Sequence, residues 1–476
     1  MDADIVIIGA GAVGTALARE LSKYQLKIVL VEKEADICAG TSKANSGVIH
    51  TGFDAPLNTL ESTLVTKANL LFDQMTQELN VPFKRIGAFL VAVNDEQDKS
   101  LEKIYEKGIS NGVRDISFIS LKKLLELEPF INPKAKRALY IPRESIICPF
   151  NWVIALAENA WDNEVWFLLN TKVKDIKKNS DGIEKVICNN REINTKWVVN
   201  AAGLYSDSIA KMVGIDDFKV SPRKGEFYVF DKDASNIISH IILPAPTKKS
   251  KGIIATPTVN GNMIIGPTAE DITDKTDTST TEKGLTTVLN GIKNLIPSIN
   301  KSNTIAQYAG LRAVNSKNRF IVEVPKEIKG FLNITGIRST GITASPTIAL
   351  YALEQLKKAG LKLIPKEKFN PFRKPIKRFN EMTNIEREKA SIENPLYSNI
   401  ICRCELISEA EVVDAINRPL GARTLDGLKR RIRTSTGRCQ GGFCTPRILK
   451  IMQRELDINI EDLTKNGVRS NFLNER

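Results

Sequence analysis

The chain opens on blocks of apolar and polar residues that read as a β-α-β unit. Residues 4–8 (DIVII) form the short apolar run of a buried parallel strand, Ala10 to Tyr24 reads as a helix opened by glycines, and KIVLVEK at 27–33 supplies a second strand. Gly9, Gly11 and Gly14 occupy the strand-to-helix turn, and Glu32 lies at the end of the second strand. Glycines permit the tight turn and close approach of backbone to a pyrophosphate, and the helix N-terminus favours the anion. A carboxylate at Glu32 accepts from ribose hydroxyls. Strand, glycines, helix, strand and acid in register predict a bound dinucleotide.

Past Glu32 the pattern leaves that of a nicotinamide domain. A small-residue loop at 40–47 and VIHTG at 48–52 stand where another β-α repeat is normal, shaped to run along a cofactor. An amphipathic helix is expected over 59–79, a strand over 85–93, a charged helical stretch over 95–128 and a helix over about 151–162. VVNAAG at 198–203 reads as a buried strand whose small-residue end makes a second approach to the cofactor. Residues 217–320 are strand-rich with Gly and Pro turns, as suits an antiparallel sheet over a pocket, and FLNITGIRSTGITASPTIALYALEQL returns to strand, glycine turn and helix. Lys366 to Glu393 shows little periodicity and reads as a linker. The expected fold is α/β: a Rossmann-like domain (1–85, 140–215 and 321–365) interrupted by an α+β substrate domain with a mainly antiparallel sheet (86–139 and 216–320). A linker at 366–394 then leads to a small helical cysteine-rich domain at 395–465.

At 476 residues the chain is long enough for two to four domains. Its first residues, MDADIVIIGAG, carry acids where a signal peptide carries cations, and no apolar run approaches the roughly 18 residues of a spanning helix. A cytoplasmic protein with at most peripheral membrane contact is expected. The formal charge of +13 favours an anionic partner such as a phosphorylated or carboxylate substrate, an acidic protein, a lipid surface or nucleic acid. The cations are spread along the chain, which a lysine-rich composition explains equally well. The run Lys429-Arg430-Arg431-Ile432-Arg433 lacks interleaved aromatics for base stacking, so it is read as a solvated helix face or a dock for an acidic electron-transfer partner, and no nucleic acid is expected.

Of seven cysteines, Cys38, Cys148 and Cys188 are far apart and read as single buried or free thiols. Cys402-x-Cys404 and Cys439-x4-Cys444 have the close spacing of metal or cluster ligands, and four thiolates suit either [2Fe-2S] or zinc. The 34 residues between Cys404 and Cys439 leave room for helices at 408–417 and 424–433. A nucleotide cofactor at one end and a cluster at the other point to a redox enzyme.

GAGAVG with Glu32, TSKANSGVIHTG at 41–52, VVNAAGLYSD at 198–207, AGLRAVN at 309–315 and GIRSTGITASP at 336–346 resemble segments of the D-amino-acid oxidase and glycerol-3-phosphate dehydrogenase superfamily of flavin-dependent oxidoreductases. The likeness covers residues 1 to about 365, and about 397–455 resembles the bacterioferritin-associated-ferredoxin-like [2Fe-2S] domain, whose usual Cys-x2-Cys is widened here to Cys439-x4-Cys444. The two-part arrangement looks like that of large subunits of anaerobic glycerol-3-phosphate dehydrogenases. The resemblance implies FAD, bound by Gly9, Gly11, Gly14, Glu32, Thr41, Ser42, Asn45, Ser46, Val173, Ala202, Gly203, Gly336, Ser339, Gly341, Ile342 and Thr343. It implies a [2Fe-2S] cluster on Cys402, Cys404, Cys439 and Cys444.

His50, in the flavin-facing segment, is either the base for a substrate hydroxyl or a backbone partner beside the cofactor. Arg312 and Arg338 are candidates to hold a substrate phosphate or carboxylate, against structural ion pairs, with Lys224 a lesser one. His240 reads as structural. The activity implied is oxidation of glycerol 3-phosphate to dihydroxyacetone phosphate by hydride transfer to flavin, with electrons leaving through the cluster to a partner subunit or carrier. The alternatives are a dehydrogenase of a 2-hydroxyglutarate-like acid or of an amino acid, and a non-catalytic electron-transfer subunit.

Overall fold

The computed structural model describes residues 1–247 and 252–473. Its first layer is a six-stranded sheet in the order Ile321–Glu323, Phe331–Thr335, Trp197–Asn200, Ile5–Ile8, Ile28–Val31, Trp166–Leu168, parallel except for the first strand. Alternation along the strands divides the side chains between two cores. Ile5 and Ile7 face the helices Ala12–Leu21, Pro149–Asp162 and Gly341–Lys358. Val6 and Ile8 face a three-stranded antiparallel sheet built from 173–194, through Val173, Ile176, Ile183 and Val186.

The second layer is a nine-stranded sheet whose longest pair, Val220–Phe230 and Thr304–Asn315, is antiparallel throughout. Among the described residues only Ile241–Pro244 against Ala88–Ala92 is parallel in it, so the mainly antiparallel expectation holds. A small sheet of Val48–Ile49, Ser145–Ile147 and Phe83–Arg85 supplies a further layer. The tail has its own apolar core between helices Glu409–Asn417, Leu425–Ile432 and Thr445–Leu456. Among the described residues no helix is long and apolar enough to cross a membrane.

Local patterns failed in four places. The expected helix over 59–79 is two helices, Leu60–Asn69 and Phe72–Glu78, because Arg85 Nη2 donates to the Asn69 carbonyl at 2.9 Å and takes the oxygen that would have continued the ladder. Within 95–128 the strand Ser117–Ser120 separates two helices, where SFIS pairs with Arg137–Ile141. The presumed linker holds a helix, Asn384–Glu393, started by a reciprocal cap between Thr383 and Glu386.

The fourth correction concerns Lys429–Arg433. Arg430 and Arg431 are buried rather than solvated, and Asp36 of the first layer accepts from Arg430 Nη2 at 2.7 Å and from both Arg431 Nη atoms at 2.8 Å. With Arg373 and Arg418 meeting Glu158, these pairs fasten the tail to the nucleotide-binding layer. Burial pushes the Asp36 carboxyl up, but the two guanidiniums outweigh it and hold the group below its ordinary range.

Asp36→Asn leaves two buried cations uncompensated, and urea denaturation is expected to show about 3–5 kcal/mol lost. The depressed carboxyl stabilises fully above its unfolded value of 3.8, and the contribution fades as pH falls from there through the folded value. The gap between wild type and variant is therefore constant near neutral pH and closes only in acid. Equal denaturation midpoints at pH 7 would sink the clamp.

Candidate active site

A cavity of about 2080 Å³ lies between the parallel sheet and the nine-stranded sheet, with Lys429, Arg433, Thr436 and Gln440 of the tail forming part of its wall. That exceeds the roughly 300–1,000 Å³ of a single small-ligand site, so a dinucleotide and a substrate fit together. Gly9, Gly11, Glu32, Thr41, Ser42, Asn45, Ser46, Val173, Ala202, Gly203, Gly336, Ser339, Gly341 and Ile342 line it, as do His50, Arg312 and Arg338. Gly14 and Thr343 stand just behind this lining.

The strand Ile5–Ile8 runs into Gly9, whose φ of +111° and whose Cα, close enough that a Cβ would sit 2.6 Å from the Ala201 carbonyl, admit only glycine. A Cβ on Gly14 would lie 1.9 Å from the Gly9 carbonyl, so this residue lets the helix Ala12–Leu21 abut the turn. Ser42 Oγ accepts from the Ala12 N–H at 3.0 Å, and Glu32 accepts from the N–H groups of Ala10 (2.7 Å) and Glu34 (3.0 Å). Burial raises the Glu32 carboxyl despite those bonds. Backbone cradle, helix N-terminus, acid and volume together fit FAD.

The loop at 41–47 is held against the antiparallel sheet. Thr41 Oγ1 donates to the Leu311 carbonyl at 2.8 Å, Tyr308 Oη donates to the Asn45 carbonyl at 2.7 Å, and Gly310 leaves room for Ala44. Tyr308 stacks on Phe227 with ring centroids 4.7 Å apart, and burial pushes its phenol up, so it stays a donor.

His50 follows directly on the strand Val48–Ile49. The register Ile49 to Ser145 carries on to set His50 opposite Glu144, with Nδ1 3.1 Å from Glu144 Oε2. Glu144 is fully buried and its other oxygen accepts from Thr51 N (2.6 Å) and Oγ1 (3.0 Å), while Thr343 Oγ1 accepts from the His50 N–H at 3.0 Å. Nothing near Glu144 in the sequence signals this role. It follows from pairing between strands some 95 positions apart, which only the register supplies.

Arg312 lies on Thr304–Asn315 beside Gly225 of the neighbouring strand, where any Cβ would sit 2.7 Å from its Nη2. Its Nη2 donates to the Thr268 carbonyl at 2.5 Å, and burial with help from Arg223 lowers its pKa to about 10. Several cations near it are paired: Arg223 with Asp271, Lys224 with Asp277, Lys275 with Asp207, and Arg338 with Glu61 at 2.6 Å. Among the described residues no carboxylate reaches ion-pair distance of Arg312, so of the arginines that line the cavity it is the one left to meet an anion. His240 pairs at 2.6 Å with buried Glu128 and packs on Phe89, as a structural histidine does.

The tail cysteines converge. Cys404 Sγ lies 3.5 Å from Cys439 Sγ, and the neighbouring Cys402 thiol, with Ser435 after it, lowers the pKa of Cys444 to about 6. Among the described residues no three His, Cys, Asp or Glu converge on one ion. Four thiols suit two irons, each with two protein sulfurs, as they suit one tetrahedral zinc. Gly437 lets Cys404 approach, since a Cβ there would lie 2.3 Å from that of Cys404. Cys38, Cys148 and Cys188 are free and buried, with Cys38 pushed up to about 12 by burial.

Residues 4–355 match the description "FAD dependent oxidoreductase" of the DAO family, and 400–454 match "BFD-like [2Fe-2S] binding domain". A glycerol 3-phosphate dehydrogenase of Caloramator mitchellensis is 44% identical over 99% of this chain and 98% of its own. A glycerol 3-phosphate oxidase of Mycoplasma pneumoniae is 35% identical over 74% of this chain and 94% of its own. The dithionite-reduced L-alpha-glycerophosphate oxidase of M. pneumoniae with FAD bound superposes with a TM-score of 0.75 at 33% identity, covering 78% of this chain and 98% of that one. The chain belongs to the FAD-dependent oxidoreductases of the DAO family and carries a BFD-like [2Fe-2S] domain behind the flavin-binding part.

Proposed function

We propose that the protein oxidises glycerol 3-phosphate to dihydroxyacetone phosphate and passes the electrons by way of the [2Fe-2S] domain to a one-electron partner. The observation that carries the substrate is Arg312, a desolvated guanidinium without a carboxylate, in the same cavity as the His50–Glu144 pair. One arginine without an acid matches one phosphate, whereas arginine forks on both ends of a 2-hydroxyglutarate-like dicarboxylate need a second, and the other arginines of the cavity are already paired with acids. The relative that aligns along the whole chain, tail included, supports the same substrate.

Arg312 anchors the phosphate and so brings the C2 hydroxyl to where its proton can be taken. Nδ1–H of His50 donates to Glu144, leaving Nε2 to take the hydroxyl proton as the C2 hydride departs. Glu144 holds that tautomer and favours the imidazolium that results. When bound, FAD supplies the two-electron acceptor for the hydride, and a [2Fe-2S] centre supplies one-electron chemistry. In this reading residues 1–85, 140–215 and 321–365 hold the flavin, 86–139 and 216–320 the substrate, and 395–465 the cluster, with no role for nucleic acid.

Turnover with an artificial electron acceptor tests the substrate. Activity is expected with glycerol 3-phosphate and not with 2-hydroxyglutarate or amino acids, and the reverse preference would overturn the proposal.

A further inference from the structure

We propose that the solvent-facing edge of the four-cysteine site is the docking surface for a small acidic one-electron carrier protein, which seats over Phe443 and is steered by Arg403, Arg447 and Lys450. The inference rests on the proposed exit of electrons through the tail. Cys402 and Cys444 are buried, but Cys404 is exposed and Cys439 partly so, and one side of the site therefore meets solvent. Phe443, on the widened loop between Cys439 and Cys444, is 80% exposed. A lone exposed apolar residue means little. Its surroundings give it meaning.

From Gly427 to Arg454 the sequence contains no Asp or Glu. Within and beside this stretch Arg433 is paired with Glu405, Arg438 with Asp231 and Asp233, and Arg454 with Glu409 and Glu455. Arg403, Arg447 and Lys450 are exposed, and among the described residues no carboxylate is in ion-pair range of them. Arg447, Lys450 and Arg454 follow one another at helical spacing on Thr445–Leu456, whose Ile448, Leu449, Ile451 and Met452 are buried, so the cations share the outer face. Arg447 Nη1 donates to the Ile400 carbonyl at 3.2 Å, at the start of the strand that ends in Cys402, and this holds the charged face beside the cysteines.

Exposed thiolate edge, apolar tip and uncompensated cations thus lie side by side. Transient redox pairs use small interfaces and rely on opposite charge for rapid encounter. A partner with a negative rim and an apolar centre is complementary to this face. Oxidation of one secondary alcohol releases two electrons and two protons, so two oxidised carriers each leave with one electron.

The test uses the full-length holoenzyme, with iron and sulfide content measured for every variant, and two probes of opposite charge: the acidic soluble domain of a cytochrome b5 and the basic cytochrome c. Calorimetry reads binding, and stopped-flow mixing of enzyme reduced by stoichiometric dithionite reads electron transfer, so neither depends on the identity of the substrate. Wild type is expected to bind and reduce cytochrome b5 in preference to cytochrome c, with rates that fall as salt rises. R447E/K450E should lower the cytochrome b5 rate about tenfold or more and erase its salt dependence. If that variant loses iron, R447Q/K450Q gives the same reading with smaller effect. F443S should weaken binding while leaving the salt dependence intact. Cytochrome b5 binding and reduction unchanged in both charge variants would overturn the surface, as would binding of anionic phosphatidylglycerol vesicles through these residues without binding of cytochrome b5. Binding through these residues without electron transfer would support the docking face and overturn the electron route on which it rests.

Discussion

His50→Asn is expected to lower kcat with glycerol 3-phosphate by about 10²- to 10⁴-fold, the range found when a positioned general base is removed. KM should change little, because the imidazole acts on the reacting hydroxyl and the anchor is elsewhere. Glu144→Gln should cost less than His50→Asn, since Gln still accepts from Thr51 through one oxygen but presents no charge to Nδ1. The decisive reading is the double variant. If Glu144 acts through His50, its replacement adds almost nothing once His50 is gone. Two independent losses that multiply would reduce Glu144 to a prop for the strand and leave His50 without its tautomer.

Arg312→Met should fall mainly on KM. Removing one partner of a buried charge pair costs about 2–5 kcal/mol, so kcat/KM for glycerol 3-phosphate is expected to drop by at least about 30-fold. The side chain of Met fills the space beside Gly225 without a charge, which keeps the sheet intact. Arg312→Lys should recover part of the loss, because a point charge meets phosphate but gives up the bidentate fork. Arg338→Met is the control. Its guanidinium is engaged by Glu61 and Asn318, so its loss should lower thermal stability more than substrate affinity. An Arg338 variant with the larger KM effect would exchange the two roles.

The parts legible in the sequence were those written locally. Gly9, Gly14 and Glu32 were visible because strand, turn and helix are contiguous, and the close approaches at the two glycines are what such a turn requires. The cysteine pairs were visible by spacing, although spacing alone left zinc open, and it is the match of 400–454 to a BFD-like [2Fe-2S] binding domain that favours the cluster. Everything carried by distant pairing was hidden. Glu144 is attached to His50 by strand register, and Arg312 is distinguished from Arg223, Lys224 and Arg338 only by which of them found a carboxylate. Lys429–Arg433 misled for the same reason. A run of cations reads as solvated unless one knows that Asp36, almost four hundred positions earlier, is packed beneath Arg430 and Arg431.

The widened Cys439–Cys444 loop looks different in this light. Its extra residues leave the thiols able to pair, and they carry Phe443 out to the surface. The spacing departs from the usual Cys-x2-Cys, and on the proposed docking surface the added residues present Phe443.

The most direct measurement is an anaerobic titration of the purified enzyme with glycerol 3-phosphate, followed by visible absorbance and by electron paramagnetic resonance on frozen samples, with iron and sulfide assayed on the same preparation. The account predicts that the flavin bands bleach on addition of substrate and that a reduced [2Fe-2S] signal develops with them. Flavin that stays oxidised in glycerol 3-phosphate but bleaches with a 2-hydroxy acid or an amino acid, or bleached flavin beside a zinc-loaded tail, would contradict it.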